Sequence, residues 1–160
     1  MNAKIKITTT QQEYKGKSIF EHAADKLMIQ ESYDACEGCD KVETTLYGKI
    51  STENDTYSLK YEEETEGMGG VYTELKFDLS KPKEVSIIRT GALESFMYFE
   101  EGKRHICVYN TGIMPFEICI YSKCVDNKLL TNGYIEITYL IEIKGACAQK
   151  TVMKMEVEAI

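Results

Sequence analysis

The sequence predicts an all-β chain rolled into a closed antiparallel meander barrel of eight to ten strands, with one short N-terminal helix. Three observations carry that expectation. Side chains alternate apolar and polar with a period of two along most of the chain, the pattern of half-buried strands. Turn signals built on Gly, Asn, Asp and Pro separate these runs at short intervals. Only one stretch shows helical spacing. A sheet of so many strands tends to curl, and closing it removes the edges that invite aggregation.

The elements follow in order. Lys4, Ile5, Lys6, Ile7 and Thr8 open a strand with Ile5 and Ile7 on its inner face. Ser18 and Glu21 have the spacing of a capping box, and Phe20, Ala23, Ala24, Leu27 and Met28 recur at helical spacing over residues 18–30. That helix suits a lid or plug beside a barrel mouth, though a filler of a surface groove is the more economical reading; residues 26–30 also read as a short strand. A strand begins near Val42. Tyr57, Leu59 and Tyr61 form the next inner face, then Val71, Thr73, Leu75 and Phe77. Residues 85–90, 96–99 and 106–109 continue the alternation, and a hairpin turns at residues 111–115. Over residues 134–144, Ile135, Ile137, Tyr139, Ile141 and Ile143 share one face, and Met153, Met155 and Val157 close the series. Turns are expected at residues 53–55, 67–70, 80–83, 101–103 and at Asn132-Gly133, where Asn-Gly favours the positive φ of a tight hairpin.

At 160 residues the chain suits a single domain, with the helix and a C-x-x-C forming an apparent insertion at about residues 13–41. Lys plus Arg number 19 against 26 Asp plus Glu, a formal charge of −7, so the basic stripe of a nucleic-acid binder is missing. No leader-like or membrane-spanning apolar block occurs, which makes a cytoplasmic protein with no membrane partner the expectation. The six cysteines are then expected as reduced thiols.

Cys36-Glu37-Gly38-Cys39 has the spacing of half a zinc knuckle, but no second C-x-x-C follows. If the hairpin at residues 111–115 pairs residues whose numbers sum to about 226, Cys107 faces Cys119 and His105 faces Tyr121. His105, Cys107 and Cys119 then share a face while Cys124 points away. A four-cysteine site is thereby conceivable, yet buried or inert thiols are the more economical reading, and no metal or cofactor is expected. The C-x-x-C precedes a strand instead of opening a helix, the wrong setting for a redox dithiol. His22 and His105 are the only histidines, with no nucleophile elbow or metalloprotease motif, so no catalytic residues are nominated and an enzyme is not expected. The acidic run at residues 62–66 reads as a solvated strand end.

Arg89 is the most informative charge. It shares parity with Val85 and Ile87, which places a guanidinium on an otherwise apolar face. Such a group must find a carboxylate, carbonyls or a bound anion, because an unpaired buried charge is costly. It either anchors an acidic ligand or forms a satisfied pair, with Glu62 or Glu64 in reach. Gly91 marks a bulge or tight corner.

The segments YSLKYEEETEGMGG, IIRTGALESFMYFEEGKRH, YNTGIMPFEICIYS and NGYIEITYLIEI, in that order, resemble the YwiB-like family of small bacterial proteins of unknown function. The resemblance covers residues 42–158 and the opening strand, and it implies a calycin-like barrel, the class of lipocalins and fatty-acid-binding proteins. It transfers no catalytic residue, and the segment between Thr10 and Val42 departs from the family's usual length. The expected function is non-enzymatic binding of a small amphipathic or acidic ligand inside the barrel, lined by Tyr61, Phe77, Ile87, Arg89, Phe99, Tyr139 and Met155. The alternative is a barrel filled by its own side chains, serving as a structural or protein-interaction module whose partner is a basic protein or another subunit, as in a homodimer.

Overall fold

The structure, a computed structural model, describes residues 1–13, 39–65, 69–110, 115–143 and 146–160. The ten strands are β1 (Asn2–Glu13), β2 (Cys39–Glu53), β3 (Thr56–Thr65), β4 (Gly69–Asp78), β5 (Glu84–Gly91), β6 (Glu94–Glu100), β7 (Arg104–Asn110), β8 (Pro115–Lys128), β9 (Tyr134–Ile143) and β10 (Ala146–Ala159). Each pairs antiparallel with its neighbours in sequence, and β1 also pairs with β10, from Ala3 opposite Ala159 to Glu13 opposite Gln149. The result is the expected closed meander, at the upper end of the expected strand count. No helix occurs among the described residues; the helix proposed over residues 18–30, and Cys36 of the C-x-x-C, lie outside them.

Alternation puts the inner face to work. Ile5, Leu59, Leu75, Val85, Ile87, Phe99, Ile120, Ile135, Ile137 and Met155 are all 0% exposed and belong to one cluster. Between them Lys4, Lys6, Lys60 and Asp78 point to water. Burying that apolar area is the main favourable term in folding the sheet. Tyr57 stacks on Phe77 across β3 and β4 with centroids 4.9 Å apart, and Phe99 meets Tyr139 at the same distance across the interior.

The turns are specific. Asn54 and Asp55 have φ of 50° and 60° between the paired residues Glu53 and Thr56, a two-residue type I′ hairpin whose twist matches its strands. Asn132-Gly133 behaves differently from expectation. The β8–β9 connection is five residues long, the Lys128 carbonyl accepts from the N–H groups of Thr131, Asn132 and Gly133, and only Gly133 takes a positive φ, 73°. A short helical turn ended by a left-handed glycine replaces the tight hairpin.

One register differs from expectation by a single residue. In β7–β8, Cys107 lies opposite Ile118, Ile106 opposite Cys119 and Arg104 opposite Tyr121, so paired numbers sum to 225. A slip of one residue transfers a strand's whole set of side chains to the other face. Cys107 is therefore buried inside with Ile118 and Ile120, while Cys119 faces outward beside Glu142. The shared face proposed for Cys107 and Cys119 does not form.

Candidate functional site

The registers of β3 to β7 align one inward row: Tyr61, Thr73, Arg89, Ser95 and Tyr109 are successive cross-strand partners. Below it on the same strands, Leu59, Leu75, Ile87 and Met97 make a purely apolar row. A polar band thus rests on an apolar floor. Across the barrel a second run of partners, Ser122, Tyr139 and Thr151 on β8, β9 and β10, faces inward as well. The charge of Arg89 is felt at both phenols, Tyr61 and Tyr139, which brings the two runs together around the guanidinium.

Arg89 is half-buried, two residues before Gly91, where φ of 98° ends β5 at a tight corner. Its Nε is shielded from solvent and has no hydrogen-bond partner. Among the described residues it forms no ion pair; the pairs present lie on the outer wall and at the turns. Glu62 is exposed and on the opposite parity, no other described carboxylate is within ion-pair distance, and the Glu64 side chain lies outside the described residues. Glu63 shares the inner parity two residues beyond Tyr61 and acts on that phenol, but it stays outside ion-pair distance of Arg89.

Burial pushes the phenols of Tyr61 and Tyr139 well above their ordinary value of 10.0, and Glu63 adds to the rise at Tyr61. Arg89 works in the opposite direction at both, and the hydroxyls of Thr73 and Thr151 beside Tyr61 and Tyr139 also oppose it. Both phenols are therefore neutral donors at ordinary pH. The Ser95 and Ser122 hydroxyls are buried without a hydrogen-bond partner. A fixed cation ringed by neutral hydroxyls has the chemistry to take an anion: the guanidinium offers charge and paired donors, and the hydroxyls offer further donors.

The seven residues nominated from sequence separate into two groups. Arg89, Tyr61 and Tyr139 come together in the polar band. Phe77, Ile87, Phe99 and Met155 are 3%, 0%, 0% and 0% exposed and pack against one another in the floor. Thr73, Ser95, Ser122 and Thr151 were not nominated. Thr73 sat in plain view at an inward position between Val71 and Leu75; Ser95 and Ser122 needed the β6 and β8 registers, and a shift between Ser122 and Cys124 breaks the parity of β8.

The described thiols are quiet. Burial raises the Cys107, Cys119 and Cys124 thiols, with Glu142 adding to Cys119 and Glu101 to Cys124, so none is activated as a thiolate. Among the described residues no three of His, Cys, Asp and Glu are grouped to hold a metal ion. A groove of about 900 Å3 runs over β1 to β5, lined by Tyr47, Lys60, Tyr72 and Thr90 and also by Tyr61 and Thr73 of the polar band.

No curated protein matches this chain. Its fold is similar to that in the crystal structure of the ywiB protein from Bacillus subtilis, with a TM-score of 0.68 and 18% identity over 99% of this chain and 94% of that one. At that identity the likeness speaks for the fold. A family model described as a domain of unknown function, DUF1934, matches residues 27–155. The chain belongs to that YwiB-like family of small β-barrel proteins, DUF1934, whose function is unknown.

Proposed function

We propose that the barrel is a non-enzymatic binder of a small anionic or amphipathic ligand, held by Arg89 in the polar band. The observation that carries this reading is the guanidinium itself. Its Nε is hidden from water and unpartnered, and among the described residues no carboxylate stands within ion-pair distance of the guanidinium. A buried guanidinium N–H without an acceptor is costly, and an anion seated against it removes that cost. Ten up-and-down strands around an apolar inner wall also suit the calycin-like binding barrel that the sequence resemblance implies. The outer wall carries Lys4, Lys6, Lys49, Lys60 and Glu62 and the inner wall carries the aliphatic residues, the inverse of a membrane-spanning barrel, which supports a partner in solution.

The test uses 8-anilinonaphthalene-1-sulfonate, an apolar dye with one sulfonate. Saturable fluorescence enhancement is expected for the native chain, with Arg89→Met weakening it at least tenfold and leaving the thermal midpoint unchanged or higher. Unchanged dye affinity with a lowered midpoint would show that Arg89 is structural. A second reading, a filled barrel acting as an interaction module, draws on the closely packed floor and the groove over β1 to β5. No dye uptake, together with a dimer in solution, would favour it.

A further inference from the structure

Building on the Arg89 reading, we infer that the ligand is a monoanion that enters head first, with its acid group deepest and any apolar tail left toward the rim. A long-chain acid swallowed whole does not fit. Directly below Arg89 on its own strand lie Ile87 and Val85, both 0% exposed. Leu75 and Leu59 beside them, and Phe99, Ile137 and Met155, are closed to a water-sized sphere to the same degree. Interiors packed in this way lack room for additional methylenes, and making room forces side chains off their preferred rotamers.

The guanidinium is by contrast half-buried and stands next to the end of β5. Leu93 and Tyr109, both half-buried, flank that end of the barrel from the β5–β6 connection and from β7. With the floor closed, the end of β5 is the route that the described residues leave, and the floor stops the head at the level of Arg89, Tyr61 and Ser95. The charge limit comes from Glu63, on the same wall beyond Tyr61. One negative charge is matched by Arg89; a second is placed nearer the Glu63 carboxylate and repelled.

The experiment displaces the dye from the native protein with butanoate, octanoate and dodecanoate, and repeats the octanoate titration with Arg89→Met. Each methylene buried in an apolar interior is worth about a fourfold gain in affinity, so four more bury a gain of about 200-fold. The inference expects dodecanoate within about threefold of octanoate, and octanoate displacement weakened at least tenfold by Arg89→Met. A continuing gain near fourfold per methylene, still dependent on Arg89, would overturn the head-first geometry and leave the Arg89 site standing. Displacement indifferent to Arg89 would overturn the site and this inference with it. Succinate gives the charge limit: it should bind at least threefold more weakly than butanoate, and equal or tighter binding would overturn the monoanion assignment.

Discussion

Arg89 and the two phenols around it combine a permanent charge with groups that resist acquiring one. Their resistance is measurable. In the unfolded chain a tyrosine ionises near 10.0, whereas Tyr61 and Tyr139 in the folded barrel ionise higher because burial disfavours the phenolate. Above pH 10 the unfolded state therefore binds fewer protons than the folded one, and stability must fall as pH rises. Below pH 10 their contribution is constant. The expected slope is about 1.4 kcal/mol per pH unit for each such tyrosine. Urea midpoints between pH 9 and 11.5 check it, and Tyr61→Phe with Tyr139→Phe should flatten the decline; an equally steep decline in the double variant would refute the assignment. At this scale the sequence was partly readable. Parity alone exposed Arg89, since a cation among Val85 and Ile87 has no ordinary reason to face inward. Thr73 and Thr151 carry no distinguishing signal because a threonine at an inward position looks like any β-branched strand residue. Cys119 was misplaced by one step of register, which local alternation cannot supply when both strands carry apolar side chains on both faces: Ile106 and Val108 are 72% and 50% exposed.

Elements were more legible than the contacts between them. The runs over residues 71–77 and 134–139 alternate cleanly, and Asn54-Asp55 delivers the positive φ its hairpin needs. Asn132-Gly133 carried the same local signal but sits at the end of a five-residue connection, where one left-handed residue suffices. Close approach of strands was invisible beforehand. Gly48 on β2 faces Tyr61 on β3, and a Cβ built there would run into the Lys60 carbonyl oxygen and crowd the Ile5 side chain. Since the first obstacle is backbone, rotamer changes cannot relieve it. Gly48→Ala is expected to cost about 1–3 kcal/mol, the range for overpacking a tight site. The chemical-denaturation midpoint of the variant checks this, and an unchanged midpoint would mean that β2 and β3 separate freely.

For the molecule as a whole, the edge argument from sequence pointed correctly to closure, and the register that achieves it came only with the structure. β1 zips to β10 over eleven partner pairs, and the Ile160 N–H donates to the Asn2 carbonyl at 3.0 Å. The first and last strands are therefore side by side. A permuted chain that joins residue 160 to residue 1 through a short glycine-rich linker, and opens at residues 81–82 in the exposed β4–β5 turn, keeps every ladder intact. Both it and the parent are expected to unfold in one cooperative transition and to migrate as the same species in size-exclusion chromatography. Aggregation or a broad transition would show that continuity through the β4–β5 turn matters more than the ladders do.

That seam also bears on how the protein is made. While the ribosome is still delivering the chain, β1 and β9 each present a raw flank of unpaired amides and carbonyls until β10 is released to bridge them. A messenger cut short before β10 would therefore yield a sticky half-built cylinder and no smaller working version of the protein.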